Sequence, residues 1–194
     1  MGSEFFFAAL CENYSDPFFY GPKLRTYNRP IGNRQKHRNQ RVQVTVHKIP
    51  ESVLVVIHTA ALEVLLIERA DRPGFWQSVT GSLDAPDEPL ALTAARELFE
   101  ETGIVADGAA IALRDWHVAN VYEIYPTWRH RYAPGVTLNT EHVFSVCVER
   151  DTAITLSARE HLNHLWLPYL AAADRCFSSS NAEAILQLPR HLAA

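Results

Sequence analysis

The clearest helical pattern in the chain runs over residues 88–102. Small and apolar side chains recur there at intervals of three and four, which places them on one helix face: Ala91, Ala94, Ala95 and Leu98. Asp87 stands where a helix N-cap is expected, and Gly103 follows the last turn, where glycine often ends a helix. A helix with one apolar face must bury it, so we expect this helix to lie on a sheet.

Three glutamates of this segment, Glu97, Glu100 and Glu101, are spaced i, i+3 and i+4. At about 100° per residue, Glu97 and Glu101 project within roughly 40° of each other, beside Ala94 at the border of the apolar face. Glu100 projects farther round the helix. Mg2+ takes one or two carboxylates and completes its shell with water and phosphate oxygens. The spacing therefore predicts a magnesium site at the edge of a cleft.

The wider segment carries a longer motif. From Glu88 the chain reads E-x7-R-E-L-x-E-E-x-G-I, which includes Arg96 and Gly103. This resembles the Nudix box, G-x5-E-x7-R-E-U-x-E-E-x-G-U with U aliphatic, at every position after the first glycine. Gly81 stands one residue early and Ser82 occupies the glycine position, so we expect the loop before the helix to be one residue longer than usual. A loop absorbs an insertion more easily than a helix does.

Resemblance to the Nudix hydrolases implies an α/β/α sandwich of the α+β class, with a mixed β-sheet flanked by helices. It also implies a pyrophosphohydrolase that depends on Mg2+, for which Mn2+ can substitute. The box glutamates would bind the metal together with a glutamate from a distant loop, and Glu160 matches that role better than Glu141. The general base is either Glu100 or Glu160. Arg96 and Glu88 would hold the helix and the loop together, with Gly81 and Gly103 as structural glycines of the motif.

Segments outside the box narrow the resemblance to one subgroup, the dihydroneopterin triphosphate diphosphatases. These segments are residues 75–82, 129–137, 139–141, 160–162 and 166–167. Membership would imply hydrolysis of dihydroneopterin triphosphate to dihydroneopterin monophosphate and pyrophosphate, a step of folate biosynthesis. Two alternatives stay open: a Nudix pyrophosphohydrolase of ordinary or oxidised (deoxy)nucleoside triphosphates, and a non-catalytic Nudix module that binds a nucleotide or a protein.

The expected substrate is a small molecule with a triphosphate at one end and a ring at the other. The triphosphate needs cationic side chains around it. Cations that could reach the triphosphate are Lys48, Arg69, Arg129 and Arg131. Aromatic rings offer stacking area for a pterin, and the candidates are Tyr122, Tyr125, Trp128 and Tyr132. The resemblance alone adds Thr80 and Ser178 as polar contacts.

Runs of alternating or continuous apolar residues predict the remaining elements. Strands are expected at 42–46, 52–58, 62–69, 76–80, 110–113, 117–125, 141–148, 153–156 and 164–167. The closing alanine-rich stretch and residues 181–188 are typical of helices. Residues 1–40 have no periodicity, so we interpret them as an N-terminal extension ahead of a Nudix domain at 41–194. An RNA-binding arm is the disfavoured alternative for their basic stretch.

Charge and cysteine usage limit the class of protein. A formal net charge of -4 provides no general field for polyanions, so we expect no nucleic-acid partner. The three cysteines, Cys11, Cys147 and Cys176, are far apart and match neither a disulfide scaffold nor a C-x-x-C metal site. No window approaches a membrane span, and the first ten residues make a poor signal peptide. We therefore expect a cytoplasmic enzyme that does not enter membranes.

Overall fold

A computed structural model describes residues 23–24 and 45–192 of the chain, with the side chains of residues 47–192. The chain divides into two compact units, Met1–His47 and Lys48–Ala194. In the first unit, strands β1 (Lys23–Leu24) and β2 (Thr45–Val46) pair antiparallel. The last two residues of the strand predicted at 42–46 are thus confirmed, whereas residues 42–44 lie outside the described residues.

The second unit is built on a mixed β-sheet with β3 at its centre. β3 pairs antiparallel with β6 and parallel with β8, and β7 continues the sheet beyond β8. β4 meets β3 at the pair His58 and Val64, and it also pairs antiparallel with β5 and β9. The strands are β3 (Glu51–His58), β4 (Glu63–Arg69), β5 (Trp76–Gln77), β6 (Val79–Ser82), β7 (Leu113–Glu123), β8 (Leu138–Cys147) and β9 (His161–Pro168).

Both faces of this sheet are buried, which explains the continuous apolar run of β3. Val53, Val55 and Ile57 point to the face covered by α1 (Leu90–Thr102), where they pack in one cluster with Leu98 and Phe144. The intervening Leu54 and Val56 point to the opposite face, with Ile185 and Leu188 of the C-terminal helix. Helices therefore lie on both sides of the sheet, and the predicted α/β/α sandwich is confirmed.

The closing segments predicted as helical are confirmed. They form α2 (Tyr169–Arg175) and α3 (Ser179–Leu192). Within the part of the chain that the structure describes, none of the helices combines the length and the apolar character that crossing a membrane requires.

The helix that carries the glutamates is confirmed, but its start differs from the prediction. It begins at Leu90 rather than at residue 88, its N-cap is Pro89, and no side chain caps it, so Asp87 is not the N-cap. The side chain of Glu88 has another partner, because it accepts a hydrogen bond from the backbone N–H of Asp84 at 2.6 Å. The end of the helix is as predicted, with Gly103 in the left-handed conformation at φ 74°.

Most predicted strands are confirmed with ends shifted by a few residues, but two are wrong. At 110–113, only Leu113 belongs to a strand. Asp107 Oδ1 accepts hydrogen bonds from the backbone N–H groups of Ala109, Ala110 and Ile111, each at 2.9 Å. A short acidic side chain that satisfies three consecutive N–H groups holds a turn and competes with pairing in a sheet.

The segment 153–156 is also not a strand. Its apolar residues Ile154 and Leu156 do pack on the core, which explains their alternation. The backbone N–H of Thr155, however, donates to the carbonyl oxygen of Thr102 at 2.8 Å, at the carboxyl end of α1. This segment therefore closes the end of a helix instead of extending the sheet.

Deleting residues 1–40 should leave stability and triphosphate hydrolysis unchanged. An aperiodic terminal segment contributes few core contacts, and the sheet with its flanking helices lies in the second unit. Thermal unfolding and pyrophosphate release of the deletion variant and the full chain would be compared. Leu98→Ala, which empties a core position, is the positive control and should cost about 2–5 kcal/mol. The expectation would be contradicted if the deletion lowered the melting temperature by more than about 4 °C, which corresponds to a loss of about 1 kcal/mol or more in the free energy of unfolding.

Candidate active site

Side chains that can bind a metal come together beside α1 from distant parts of the sequence. Glu101 on α1, Glu160 just before β9 and His161 on β9 each offer a ligand atom, and these atoms lie within 4.8 Å of one another. His161 Nε2 is 3.3 Å from Glu101 Oε1 and 4.0 Å from Glu160 Oε2. Glu101 Oε2 also accepts a hydrogen bond from the backbone N–H of Thr80 at 3.3 Å. The fold thus brings together Glu101 and Glu160, two of the residues predicted to bind metal.

Glu97 reaches the same region along the edge strand β6. Its carboxylate lies where Gly81 has no side chain: a Cβ added to Gly81 would be 1.8 Å from Glu97 Cδ and 2.1 Å from Oε1. Any other residue at 81 would force Glu97 to move. Gly81, and not Ser82, therefore provides the close approach to Glu97, which fits the expectation of a longer loop between Gly81 and the helix.

Arg96 connects that loop to the helix. Its guanidinium donates to Glu97 Oε1 at 2.6 Å, to the two carboxylate oxygens of Glu88 at 3.3 and 3.4 Å, and to the carbonyl oxygen of Ser82 at 3.1 Å. A planar group with several fixed donors holds such partners in one geometry. Arg96 thus orients Glu97 and anchors the end of β6, in line with the structural role expected of it.

The carboxylates repel one another in this partly buried site. Burial, and then the charge of Glu101, raise the pKa of Glu97 to about 8, although Arg96 opposes the shift. Burial also raises the pKa of Glu160. A divalent cation among these oxygens would relieve both effects, and hard oxygen ligands suit Mg2+ or Mn2+. The residues therefore fit a divalent metal, which Glu97, Glu101 and Glu160 would hold. Glu100 lies farther out, exposed and 3.6 Å from Arg96 Nη1.

A cleft of about 540 Å³ lies next to this cluster. Lys48, Arg69 and Arg131 line it, and desolvation together with the two arginines lowers the pKa of Lys48. Arg69 is oriented by a bidentate pair with Asp71, at 2.8 and 2.7 Å, and by Gln77 Oε1 at 3.2 Å. Three converging cations make this part of the cleft suited to phosphate oxygens.

Arg129, the fourth predicted cation, also lines the cleft but is engaged elsewhere. Its guanidinium donates to Glu123 at 2.5 Å and to the carbonyl oxygen of Ile124 at 3.0 Å. These contacts tie the 3₁₀ helix Pro126–Arg131 to the end of β7. Arg129 therefore holds a wall of the cleft.

Aromatic side chains form another wall. Tyr125 and Trp128 meet edge to face with ring centroids 5.5 Å apart, and Phe177 lies 6.2 Å from each. The guanidinium of Arg69 lies over Trp128 at 4.9 Å. Phe177 was not predicted from the sequence, because an aromatic residue between two helices has no pattern that separates a ligand contact from core packing.

The floor of the cleft is polar and buried. Glu141 is 4% exposed, accepts a hydrogen bond from Ser180 Oγ at 3.0 Å and meets the hydroxyl of Tyr122 at 3.5 Å. Asn139 Nδ2 donates to that hydroxyl at 3.1 Å and to Ser52 Oγ at 2.7 Å. Burial raises the pKa of Glu141 to about 7, although the hydrogen bonds oppose the shift. A buried polar network at the floor of a cleft is typical of a site that recognises a polar ligand.

The structure thus brings most of the predicted residues to one cleft and its edge. Besides those described above, Thr80, Tyr132 and Ser178 line the cleft. Ser52, Ser180, Asn181 and His161 were missed. Polar residues at alternate positions of a buried strand, as at Asn139 and Glu141, are the one signal that could have located the floor.

A mixed sheet between helices, with glutamates of one helix beside a cleft lined by cations, suits the hydrolysis of phosphoric anhydrides. Residues 48–188 match the NUDIX domain, and the chain belongs to the Nudix family. It is 41% identical over 140 residues to a dihydroneopterin triphosphate diphosphatase of Haemophilus influenzae, covering 72% of this chain and 87% of that protein. It is 42% identical over 143 residues to the enzyme of that name in Escherichia coli K12, covering 73% and 93%.

A solved structure agrees with these sequence matches. The E. coli dihydroneopterin triphosphate pyrophosphohydrolase superposes with a TM-score of 0.68 at 42% identity, over 73% of this chain and 96% of that one.

Replacing Gly81 with alanine should displace Glu97 without unfolding the protein. The carboxylate ends a flexible side chain and can move away, so we expect about 1–3 kcal/mol of destabilisation, which leaves the protein folded. Turnover should fall by roughly 10- to 100-fold, because a misplaced metal ligand disturbs the reacting geometry. Urea unfolding, Mn2+ titration by electron paramagnetic resonance and steady-state kinetics would measure these effects. In a Glu97→Gln background, the same substitution should add less than about a threefold loss. If Gly81→Ala lowers turnover by the same factor in the Glu97→Gln background as in the native protein, displacement of Glu97 is excluded as the cause of the loss.

Proposed function

We propose that this protein hydrolyses dihydroneopterin triphosphate to dihydroneopterin monophosphate and pyrophosphate, with Mg2+ as the cofactor and Mn2+ as a substitute. The observation that carries the proposal is the composition of the cleft. Cations line it beside the carboxylate cluster, whereas aromatic rings and a buried polar floor line the rest. The identity of 41–42% to enzymes named for this substrate supports the same reaction.

The phosphate end requires charge neutralisation before water can attack. A bound divalent cation supplies part of it and lowers the pKa of a water molecule. Lys48, Arg69 and Arg131 bind the remaining phosphate oxygens, and Asp71 holds the guanidinium of Arg69 in place before substrate arrives. Such preorganised cations stabilise the negative charge that develops on the phosphate oxygens during the reaction.

Of the two candidate bases, Glu160 is better supported than Glu100. Glu160 is half-buried within the cluster that it forms with Glu101 and His161, so a carboxylate oxygen of Glu160 is placed to accept a proton from the attacking water. Glu100 is exposed and lies 3.6 Å from the guanidinium of Arg96. It is not part of the group of ligand atoms that Glu101, Glu160 and His161 bring within 4.8 Å of one another.

The ring end accounts for selectivity. Tyr125, Trp128 and Phe177 offer stacking surface to a flat heterocycle, and Tyr122 lies at the polar floor. Ordinary nucleoside triphosphates present the same three phosphates, so they are the alternative substrates, and discrimination must arise at this end. A non-catalytic binding module is disfavoured because Glu97, Glu100 and Glu101 are all present.

We further infer that the protein acts in the cytoplasm, on a small molecule rather than on nucleic acid. Cys147 and Cys176 are free thiols, which fits a reducing compartment. The cations of the cleft lie beside a closed floor, and a site of this shape suits a single nucleotide-sized ligand.

Dihydroneopterin triphosphate should be hydrolysed with a higher kcat/KM than dATP, dGTP or their ribonucleotide counterparts. One or two unmatched polar groups at the ring, at about 1–3 kcal/mol each, correspond to factors of roughly ten to several thousand. Pyrophosphate release in competition assays, with two substrates present together, measures this ratio directly. Equal or better use of dATP would reassign the protein as a generic triphosphate pyrophosphohydrolase.

Glu101→Gln and Glu97→Gln should each reduce turnover about 100-fold or more, because each removes a metal-binding charge without removing packed volume. Glu183→Gln, the same change at an exposed site on α3, is the matched control. Calorimetric Mg2+ titration and thermal unfolding would accompany the kinetics. Near-normal turnover of both variants would show that the metal site lies elsewhere.

A further inference from the structure

We propose that Glu141 recognises the ring of the substrate: its carboxylate accepts two adjacent N–H donors of a 2-amino-4-oxopyrimidine edge. In a pterin these donors are N3–H and the 2-amino group. Guanine presents the same pair, whereas adenine presents an acceptor beside its amino group. The inference deepens the proposed function, since it depends on a triphosphate occupying the cleft, and it assigns the selection of the substrate class to one residue.

Glu141 is a carboxylate placed for recognition. It lines the cleft, yet its side chain is almost fully buried. A carboxylate in such a place is costly unless donors surround it. The partners described above are two hydroxyl groups, Ser180 at 3.0 Å and Tyr122 at a long 3.5 Å. Two carboxylate oxygens have about four acceptor positions, so capacity is left for the paired donors of a ligand.

The neighbouring residues of the floor point to a polar ligand independently of Glu141. Asn139 and Asn181 both line the cleft and are each 2% exposed. Asn139 Oδ1 and Asn181 Nδ2 have no hydrogen-bond partner among the described residues. Buried polar atoms without partners are rare in proteins, and a ligand is one of the groups that can satisfy them. Asn181 Nδ2 is a donor of the kind that a 4-oxo group needs.

Glu141 lies apart from the metal-binding carboxylates, so its role is different from theirs. In the parallel pairing of β3 and β8, Glu141 is opposite Ser52, and the next matching pair is Leu54 and Val143. Leu54 and Val143 belong to the cluster that packs on α2 and α3, and strand alternation puts Glu141 on that same face. Glu97 packs against Gly81, whose strand partner Val53 faces α1 on the other side of the sheet.

Glu141→Gln provides a sharp test because glutamine keeps the size of the side chain but replaces one acceptor with a donor. The kcat/KM values for dihydroneopterin triphosphate, dGTP and dATP would be measured for the native protein, Glu141→Gln and the exposed-site control Glu183→Gln. Values for the first two substrates should fall about 10- to 100-fold in Glu141→Gln, mainly through KM. The value for dATP should stay within about threefold or rise, since an amide can pair with adenine. Mn2+ affinity should not change.

Equal losses for all three substrates, or unchanged selectivity, would overturn the inference. So would weaker Mn2+ binding with intact selectivity, because it would make Glu141 part of the metal site. If thermal unfolding shows that Glu141→Gln is poorly folded, Ser180→Ala serves instead. It removes a hydrogen bond that orients Glu141, and the inference requires a smaller loss, about 3- to 10-fold, with the same selectivity for substrates.

The comparison of dGTP with dATP separates the two proposals. A native protein that ignores dihydroneopterin triphosphate, but prefers dGTP over dATP through Glu141, would refute the proposed function and support the role of Glu141. If the native protein prefers dihydroneopterin triphosphate and Glu141→Gln keeps that preference, the proposed function is supported and the role of Glu141 is refuted.

Discussion

The close approach of β6 to α1 is the contact on which the arrangement of this site depends. Consecutive residues of a strand point to opposite faces, and β6 uses this alternation at Thr80 and Gly81. The missing side chain of Gly81 admits the carboxylate of Glu97 on the α1 side. Thr80 lines the cleft, where Gln77 donates to its hydroxyl, while its backbone N–H donates to Glu101. A single strand therefore connects the helix that carries the glutamates with the cleft.

The rest of the domain stabilises this unfavourable concentration of charge. Burial raises the pKa of Glu97 to about 8 despite the nearby Arg96, which means that ionising Glu97 in the folded protein costs free energy when no metal ion is bound. Leu98 and Ala94 are fully buried on the same helix and anchor it on the sheet. Arg96 offsets part of the repulsion through its bonds to Glu97 and Glu88. An unfavourable group of charges at a functional site persists when the surrounding core fixes the position of the chain that carries it.

Much of the fold and of the acidic cluster beside α1 could be predicted from sequence, because those features repeat along the chain or depend on local spacing. The apolar face around Leu98 and the glutamates at Glu97 and Glu101 belong to one helix, so their relation is set by helix geometry. The features that were predicted wrongly or not at all have physical causes. Asp107 redirects a run of apolar residues into a turn, which periodicity does not show. The partners of Glu141 come from β7 and from the start of α3, and no local rule brings those segments together.

The junction between α2 and α3 has a consequence for how such a protein can change over time. The backbone N–H of Phe177 donates to the carbonyl oxygen of Trp76 at 3.2 Å, which holds this short connection against the sheet while Phe177, Ser178 and Ser180 line the cleft. Connections tolerate substitution better than the elements they join. This part of the cleft lining is thus separate in sequence from the helix that carries the glutamates. Mutations there can reshape the cleft, while the glutamates of α1 are inherited intact.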